Sequence, residues 1–207
     1  MTLEPIFCFQ STVVTVERPD FLASVRPVME DYLRDSEKQN CDLNEIYPVR
    51  MTASMHLDPR IYEFSRYIAV TSGELLGEQG YDMRGLATYF TEMWTQEHHK
   101  HSAMDQHVHP GAQIVGFYFV DVPDDSSVAT FHDPRPGKVQ AGLRETNMAE
   151  VTLASNGFYL QPKPGLLVFT NGWLPHSFTR HASDKPIRFI HFNISVTEDT
   201  PEPAEVI

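Results

Sequence analysis

Two histidines one residue apart, and a third far downstream, are the side chains of this sequence best suited to hold a metal ion. The segment HVHPG begins at His107 and contains His109, and the segment WLPH ends at His176. Side chains at positions i and i+2 of a strand point to the same face, so a strand ending here directs His107 and His109 together. A third imidazole, His176, can then close one face of the ion. Arg188 follows downstream and has the charge to hold an anionic co-substrate.

The ligand types leave two metal chemistries open. A catalytic metal has few protein ligands, so that coordination positions remain for substrate. Two histidines with one carboxylate form the facial triad of iron(II) oxygenases, whereas three histidines with one open position are a catalytic zinc arrangement. Asp105 and Asp133 are the carboxylates that could replace His109 as a ligand. The residues therefore predict a mononuclear metal site, with iron and zinc both as candidates.

The other histidines are expected to be solvated or structural. Of the ten histidines in the chain, nine fall between residues 98 and 191, so the candidate chemistry belongs to the second half. The segment 97–101 (EHHKH) is expected to be a solvated loop. His132 is expected either to support a metal ligand or to end a strand. His181 lies beside a turn and His191 inside an apolar strand, so both are expected to be structural histidines with satisfied hydrogen bonds.

The chain is predicted to be a single domain over residues 1–207. A chain of 207 residues can bury a substantial core, and no linker divides it. Residues 1–85 are predicted to give helical and strand support, and residues 86–197 the core that carries the metal site. Residues 198–207, rich in Glu, Pro and Thr, are predicted to be a loose tail.

Charge and composition disfavour several classes of protein. The formal net charge of −12, without a cluster of Lys or Arg, argues against a nucleic-acid partner. The two cysteines, Cys8 and Cys41, form no CxxC pattern and fit a reducing compartment. The N-terminus lacks a signal-peptide pattern, and no apolar run approaches the ~20 residues of a membrane span. We expect a cytoplasmic protein without a membrane partner, and leave open whether it forms a homodimer.

Two amphipathic helices are predicted to precede the β core. Apolar residues spaced three and four apart after Asp20 predict a helix near residues 21–36. Asp58 followed by a first-turn proline predicts a second helix near residues 59–77. Residues 36–57 are polar and are expected to be irregular, and residues 5–17 to open the chain with a strand or a pair of strands. Both helices are expected to cover one face of a sheet.

From residue 86 the apolar period changes from helical to strand-like, and turn signals separate short segments. Eight strands are predicted, at residues 87–95, 105–109, 113–122, 127–132, 149–161, 165–170, 175–180 and 187–197. Eight short strands at this spacing are typical of an antiparallel jelly roll. We therefore predict a mainly β, cupin-like jelly-roll fold with N-terminal helices.

The order of the motifs resembles a known family more specifically than any motif alone. The similarity covers residues 94–195 and includes HxHPG at 107–111, GFYFV at 116–120, FHDPR at 131–135, PGLLVF at 164–169, WLPHS at 173–177, and Arg188 with Phe192-Asn193. In this order they resemble the 2-oxoglutarate/Fe(II)-dependent oxygenases of marine bacteria and phages, which are related to the prolyl hydroxylases. The resemblance implies a double-stranded β-helix, with the N-terminal helices packed against its major sheet.

The resemblance also implies roles for individual residues. His107 matches the first ligand of the HxD/E…H pattern, and His176 matches the distal histidine. Arg188 lies near the basic residue that pairs with the far carboxylate of 2-oxoglutarate, and Tyr118 falls in a strand whose tyrosines hydrogen-bond that co-substrate. The departure from the pattern is His109, where the family has Asp or Glu. Arg188 and Asn193 are five residues apart, so only one of them can face the barrel interior.

The implied function is that of a hydroxylase-type dioxygenase that uses Fe(II), 2-oxoglutarate and dioxygen on a small molecule or a protein side chain. Two alternatives remain at this stage. One is a cupin-like metalloenzyme with three histidines that does not use 2-oxoglutarate, and the other is a metal-binding jelly roll without turnover. The direction in which Arg188 points discriminates between the first reading and the alternatives.

Overall fold

The computed structural model describes residues 3–6, 8–38, 43 and 45–199, without the side chains of residues 38 and 139–141. Within these residues the chain forms two long helices, ten strands and three short 3₁₀ segments. The helices are α1 (Leu22–Lys38) and α2 (Tyr62–Glu78). The strands are β1 (Val13–Glu17), β2 (Val49–Met51), β3 (Leu86–His98), β4 (Met104–His107), β5 (Ile114–Asp121), β6 (Ala129–His132), β7 (Gly157–Leu160), β8 (Leu166–Asn171), β9 (His176–Phe178) and β10 (Ile187–Glu198). The 3₁₀ segments are Pro19–Phe21, Pro59–Ile61 and Pro136–Ala141.

The strands form two antiparallel sheets that face each other. The major sheet has the order β1-β8-β5-β10-β3-β2, and the minor sheet has the order β4-β9-β6-β7. Strands that are distant in sequence, such as β5 and β10, therefore lie side by side. This interleaving of two sheets is a jelly roll, and it confirms the predicted double-stranded β-helix.

The major sheet is buried on both of its faces because alternate side chains enter two different cores. On β5, Tyr118 and Val120 join the core that contains the helices, whereas Phe117 and Phe119 join the core between the two sheets. A strand buried on both faces is an almost continuous apolar run, as β5 is. The metal site lies on the side that faces the minor sheet, where Phe117 contacts His176.

The two helices cover the other face of the major sheet, as predicted. Each contributes an apolar stripe to the core, with Val25 and Met29 from α1 and Phe64 and Ile68 from α2. The Asp58 side chain accepts a hydrogen bond from the backbone N–H of Arg60, which caps the 3₁₀ turn that leads into α2. The helices thus support the sheet and leave the opposite face free for chemistry.

A glycine fixes how closely the strands approach the helix-side core. A Cβ at Gly116 would lie 2.1 Å from the Val168 carbonyl oxygen and 2.2 Å from the Phe192 ring. The Phe192 ring therefore occupies the space beside Gly116 that a side chain would fill. This position excludes every other residue type without a shift of the strand.

Two regions that were predicted to be irregular form part of the major sheet instead. The segment 97–101 is not wholly a solvated loop, because Glu97 and His98 are buried at the end of β3. The polar segment 36–57 contains β2, which pairs with β3 at the sheet edge. The pairing of β3 extends far enough to bury residues whose polarity suggested a loop.

The predicted strands at 5–17 and 149–161 are shorter than expected. Of the described residues in these two ranges, only Val13–Glu17 and Gly157–Leu160 pair with neighbouring strands. Of the predicted tail, Glu198 ends β10 and Asp199 follows it, and residues 200–207 lie outside the described residues. Neither helix of the described chain is both long enough and apolar enough to span a bilayer.

Candidate metal centre

The three predicted ligands converge between the two sheets. His107 ends β4 and pairs directly with His176 at the start of β9, and their ring centroids are 4.5 Å apart. The His109 ring lies parallel to the His176 ring, with an interplanar angle of 4° and a centroid distance of 5.1 Å. One nitrogen from each ring falls in a cluster whose members all lie within 4.8 Å of one another.

A backbone hydrogen bond positions His109, which follows the end of β4 rather than lying on the strand as predicted. The backbone N–H of His109 donates to the Gly172 carbonyl oxygen at 2.8 Å. A Cβ at Gly172 would lie 2.2 Å from the Ala112 carbonyl oxygen. The close approach of these two loops, and not the alternation of a strand, therefore directs the second histidine to the site.

Backbone carbonyls fix the tautomers of two ligands. The His107 Nδ1 atom donates to the Asp105 carbonyl oxygen at 2.7 Å, and the His176 Nδ1 atom donates to the Leu174 carbonyl oxygen at 3.0 Å. Because a carbonyl can only accept, each Nδ1 carries the proton and each Nε2 keeps a lone pair. Both lone pairs are thus available for a metal ion.

The separation of the nitrogens suits a shared ion. The Nε2 atoms of His109 and His176 are 3.2 Å apart. Two imidazole nitrogens about 2.1 Å from one metal, at angles between about 90° and 109°, lie about 3.0–3.4 Å apart. Imidazole ligands suit iron, zinc, copper and nickel, so the donor set alone does not select the metal.

Burial keeps His109 and His176 neutral. Desolvation lowers the pKa of His176 to about 3 and that of His109 to about 4. In both cases the neighbouring histidines contribute to the lowering. A neutral imidazole is the form that binds metals, so the site is ready for an ion at neutral pH.

The described residues place no carboxylate in the ligand cluster. Asp133, a predicted replacement for His109, pairs with Arg135 at 2.7 Å. Asp105, the other candidate, contacts the site through its backbone carbonyl, which accepts from His107. Among the described residues the candidate donor set is therefore three histidines, and His109 occupies the place that the resemblance assigns to Asp or Glu.

Two of the other predicted histidines have ordinary partners. His132 ends β6, and its Nε2 shares a hydrogen bond of 2.8 Å with the Ser177 hydroxyl. His181 accepts from the Ser127 backbone N–H at 3.2 Å, and its Nε2 donates to the Lys185 carbonyl oxygen at 2.8 Å. His132 is thus a strand-end residue, and His181 is structural.

Arg188 does not face the barrel interior, so that prediction is wrong. Its Nε donates to the Glu97 carboxylate at 2.6 Å, and a second nitrogen lies 3.4 Å from the Asp121 carboxylate. Asp121 also pairs with Arg26 of α1, which places this network on the helix side of the major sheet. The alternation of β10 directs Phe189 inward and Arg188 outward.

Tyr118 is also on the helix side, which contradicts its predicted contact with a co-substrate. Its ring packs against Phe64 of α2 at a centroid distance of 4.9 Å. Its hydroxyl donates to the Arg18 carbonyl oxygen at 2.8 Å. The neighbours Phe117 and Phe119 face the interior instead. Both residues that the resemblance assigns to 2-oxoglutarate therefore point away from the metal centre.

Comparisons with known proteins agree with this fold. Residues 92–193 match the profile of the 2OG-Fe(II) oxygenase family. No curated protein matches the sequence. The three solved structures described next are 11–13% identical to the chain, so their likeness is one of fold.

These three structures serve as examples of the similarity in fold. The carbocyclase SnoK of nogalamycin biosynthesis, described as non-heme and alpha-ketoglutarate-dependent, is 13% identical with a TM-score of 0.64, over 95% of this chain and 85% of that one. A Pseudomonas putida prolyl-4-hydroxylase is 12% identical with a TM-score of 0.53, over 87% and 91%. HygX from Streptomyces hygroscopicus, solved with nickel, 2-oxoglutarate and hygromycin B, is 11% identical with a TM-score of 0.57, over 89% and 83%.

Proposed function

We propose, from the premise that this chain belongs to the 2-oxoglutarate/Fe(II)-dependent oxygenases, that His107, His109 and His176 hold its iron. The observation that carries this assignment is the convergence of the three rings, with two lone pairs oriented by backbone carbonyls. Such orientation is typical of a prepared metal site, since it fixes which nitrogen is free before the metal binds. Three ligands leave the remaining positions for co-substrate and dioxygen.

Iron(II) with 2-oxoglutarate supplies the oxidising chemistry, in which dioxygen oxidises the 2-oxo acid to succinate and carbon dioxide and a substrate is hydroxylated. The chain's own residues provide the binding and the environment. Phe117 and Phe131 pack near His176, at ring-centroid distances of 5.5 Å and 6.1 Å. These apolar walls bury His176, and that burial keeps its imidazole neutral.

The charge of the site also favours an anionic co-substrate. Three neutral imidazoles leave both positive charges of a divalent metal uncompensated. The carboxylate at the metal-bound end of the 2-oxo acid offsets part of that charge without help from a buried cation. This balance explains how a site without a carboxylate ligand can also work without an inward-facing arginine.

A cleft of about 920 Å³ beside the centre is the proposed substrate site. Its inner wall includes Phe131 and Leu174, whose ring and carbonyl group, respectively, contact His176. Its rim carries the Asp133–Arg135 ion pair. Small-molecule sites have volumes of about 300–1,000 Å³ and combine apolar walls with a few polar groups. We therefore favour a small molecule with an apolar portion over a protein side chain.

The function is tested by reconstituting the metal-free protein with Fe(II) and measuring succinate formed from 2-oxoglutarate in air. We expect iron-dependent succinate formation that is absent with zinc and in the His176→Ala variant. His101→Ala is the matched control, because His101 is an exposed histidine outside the cluster. An iron-loaded protein that forms no succinate and binds no 2-oxoglutarate would favour a three-histidine metalloenzyme of another kind.

A further inference from the structure

His191 is a fully buried histidine beside the candidate metal centre, and neither of its ring nitrogens has a hydrogen-bond partner among the described residues. A neutral imidazole carries one N–H donor and one acceptor nitrogen. Leaving both unpaired in a protein interior is costly, so native structures rarely do so without a functional reason. The sequence predicted a structural histidine with satisfied hydrogen bonds here. The structure shows instead that its hydrogen-bonding capacity is unsatisfied within the described protein.

The surroundings of His191 direct it toward the ligands. Its ring stacks on Trp94 at 4.4 Å and 10°, and meets the edge of Phe117 at 4.9 Å and 89°. The ring centroid of His109 is 4.8 Å away. The Trp94 Nε1 donor is also buried without a partner. His191 is outside the cluster of three ligands, so it is a neighbour of the centre and not a fourth member.

The described interior offers no cation that could pair with the far carboxylate of 2-oxoglutarate. No Lys or Arg is buried among the residues that the structure describes. Arg188 is held by Glu97 and Asp121 on the opposite face of the sheet. The inward positions of β10 before His191 are Ile187 and Phe189, which are packed in the apolar core. The far carboxylate of a bound 2-oxoglutarate therefore has no ion-pair partner there.

We propose that His191 donates a hydrogen bond to the metal-bound end of the 2-oxo acid. The chain then recognises its co-substrate at that end, through the metal and His191, and not through a cation at the far carboxylate. This inference rests on the proposed function. An anionic oxygen next to the metal is the acceptor that a buried N–H at this position requires.

The binding of 2-oxo acids to nickel-loaded protein, measured by calorimetry, tests the proposal without turnover. We compare the unaltered protein with His191→Phe, which keeps an aromatic ring between Trp94 and Phe117 but has no donor. We expect 2-oxoglutarate to bind at least tenfold more weakly to the variant, with unchanged nickel content. Because the variant loses an unpaired buried group, its thermal midpoint without co-substrate should not fall.

His98→Phe is the matched control. His98 is also fully buried with an unpartnered Nδ1, but its aromatic neighbours are Phe178 and Phe189 and not the ligands. We expect its affinity for 2-oxoglutarate to stay within twofold of the unaltered protein. A tenfold loss in this variant as well would assign the effect to general packing and overturn the proposal.

A second probe needs no variant. In 2-oxopentanoate a methyl group replaces the far carboxylate, and we expect its affinity to be within tenfold of that of 2-oxoglutarate. A hundredfold weaker binding, or equal binding of 2-oxoglutarate to His191→Phe, would overturn the inference while leaving the proposed function intact. If neither acid binds to the nickel-loaded, unaltered protein, the proposed function itself fails.

Discussion

The Nε2 atoms of His109 and His176 lie 3.2 Å apart on parallel rings, although one residue follows a strand and the other begins one. His176 is held by the pairing of β9 with β4 and with β6. His109 is held by a backbone hydrogen bond to Gly172, four residues before His176, and its own carbonyl accepts one from Ala112. The geometry of the centre therefore depends on the contact of two loops as much as on the sheets.

Gly172→Ala should disturb the metal centre from a distance. The added Cβ would meet the Ala112 carbonyl at 2.2 Å and the His109 carbonyl at 3.0 Å, so the loop that carries His109 must move. We expect at least a tenfold loss of Fe(II) affinity, measured by competition with a chelating dye. Gly137→Ala is the control, because a Cβ there meets nothing within 4 Å. Equal iron affinity in both variants would show that the loop contact does not position His109.

Arg188→Met should destabilise the fold without weakening co-substrate binding. Glu97, with a side chain only 2% exposed, would lose one cation but keep Arg50 at 2.8 Å. Removing one partner of a fully buried pair costs about 3–5 kcal/mol, so we expect about 1–3 kcal/mol here, measured by urea unfolding. Arg34→Met, at an exposed pair with Asp31, should cost less than about 1 kcal/mol.

The same Arg188→Met variant tests on which face of the major sheet the Arg188 side chain lies. If Arg188 lies on the helix side in solution, the affinity of the nickel-loaded protein for 2-oxoglutarate stays within twofold. A tenfold or larger loss would mean that the guanidinium reaches the co-substrate, as the sequence pattern first implied.

Acid should destabilise the metal-free protein through its buried histidines. Burial lowers the pKa of His98 to about 3, as it lowers those of the ligands His176 and His109. Below about pH 6.5 the unfolded chain binds protons that the folded chain does not, so unfolding becomes more favourable as the pH falls. Each such histidine contributes about 1.4 kcal/mol per pH unit until its folded pKa is reached.

Urea unfolding of the metal-free protein at pH 7.5, 6.0 and 5.0 measures this effect. We expect the free energy of unfolding to fall between pH 6.0 and 5.0. In His98→Phe the fall should be smaller by about 1.4 kcal/mol per pH unit, the contribution of one histidine. A pH-independent free energy over this range would show that these histidines are protonated in the folded protein.

Much of the fold was predictable because its signals are local. The apolar stripes of both helices and the turn residues between the strands depend on near neighbours in the sequence, and the structure confirms the elements they predict. The His107–His109–His176 set was found because the order of its motifs is specific. The edge pairing that buries Glu97 and His98 depends on β2, whose three residues gave no strand signal.

The residues predicted to bind the co-substrate were assigned to the wrong face of the sheet. Their roles depend on which alternate side chains of a strand point inward. Arg188 and Asn193 must face opposite ways, and the sequence did not say which one faces inward. The structure places Arg188 among carboxylates on the helix side. His191 lies two residues before Asn193, so alternation places both on the same face of β10. A histidine at this position was the one sequence feature that pointed to a polar group beside the site. Its apolar flanks favoured a structural role, because the absence of hydrogen-bond partners is visible only in three dimensions.

The iron content of the protein and its histidine variants, measured after anaerobic reconstitution with Fe(II) and desalting, tests the central claim most directly. We expect one iron per chain in the unaltered protein and in His101→Ala. His176→Ala should retain less than a fifth of that iron, because two ligands remain and the loss of one typically costs orders of magnitude in affinity. Full iron content in His176→Ala would contradict the three-histidine centre.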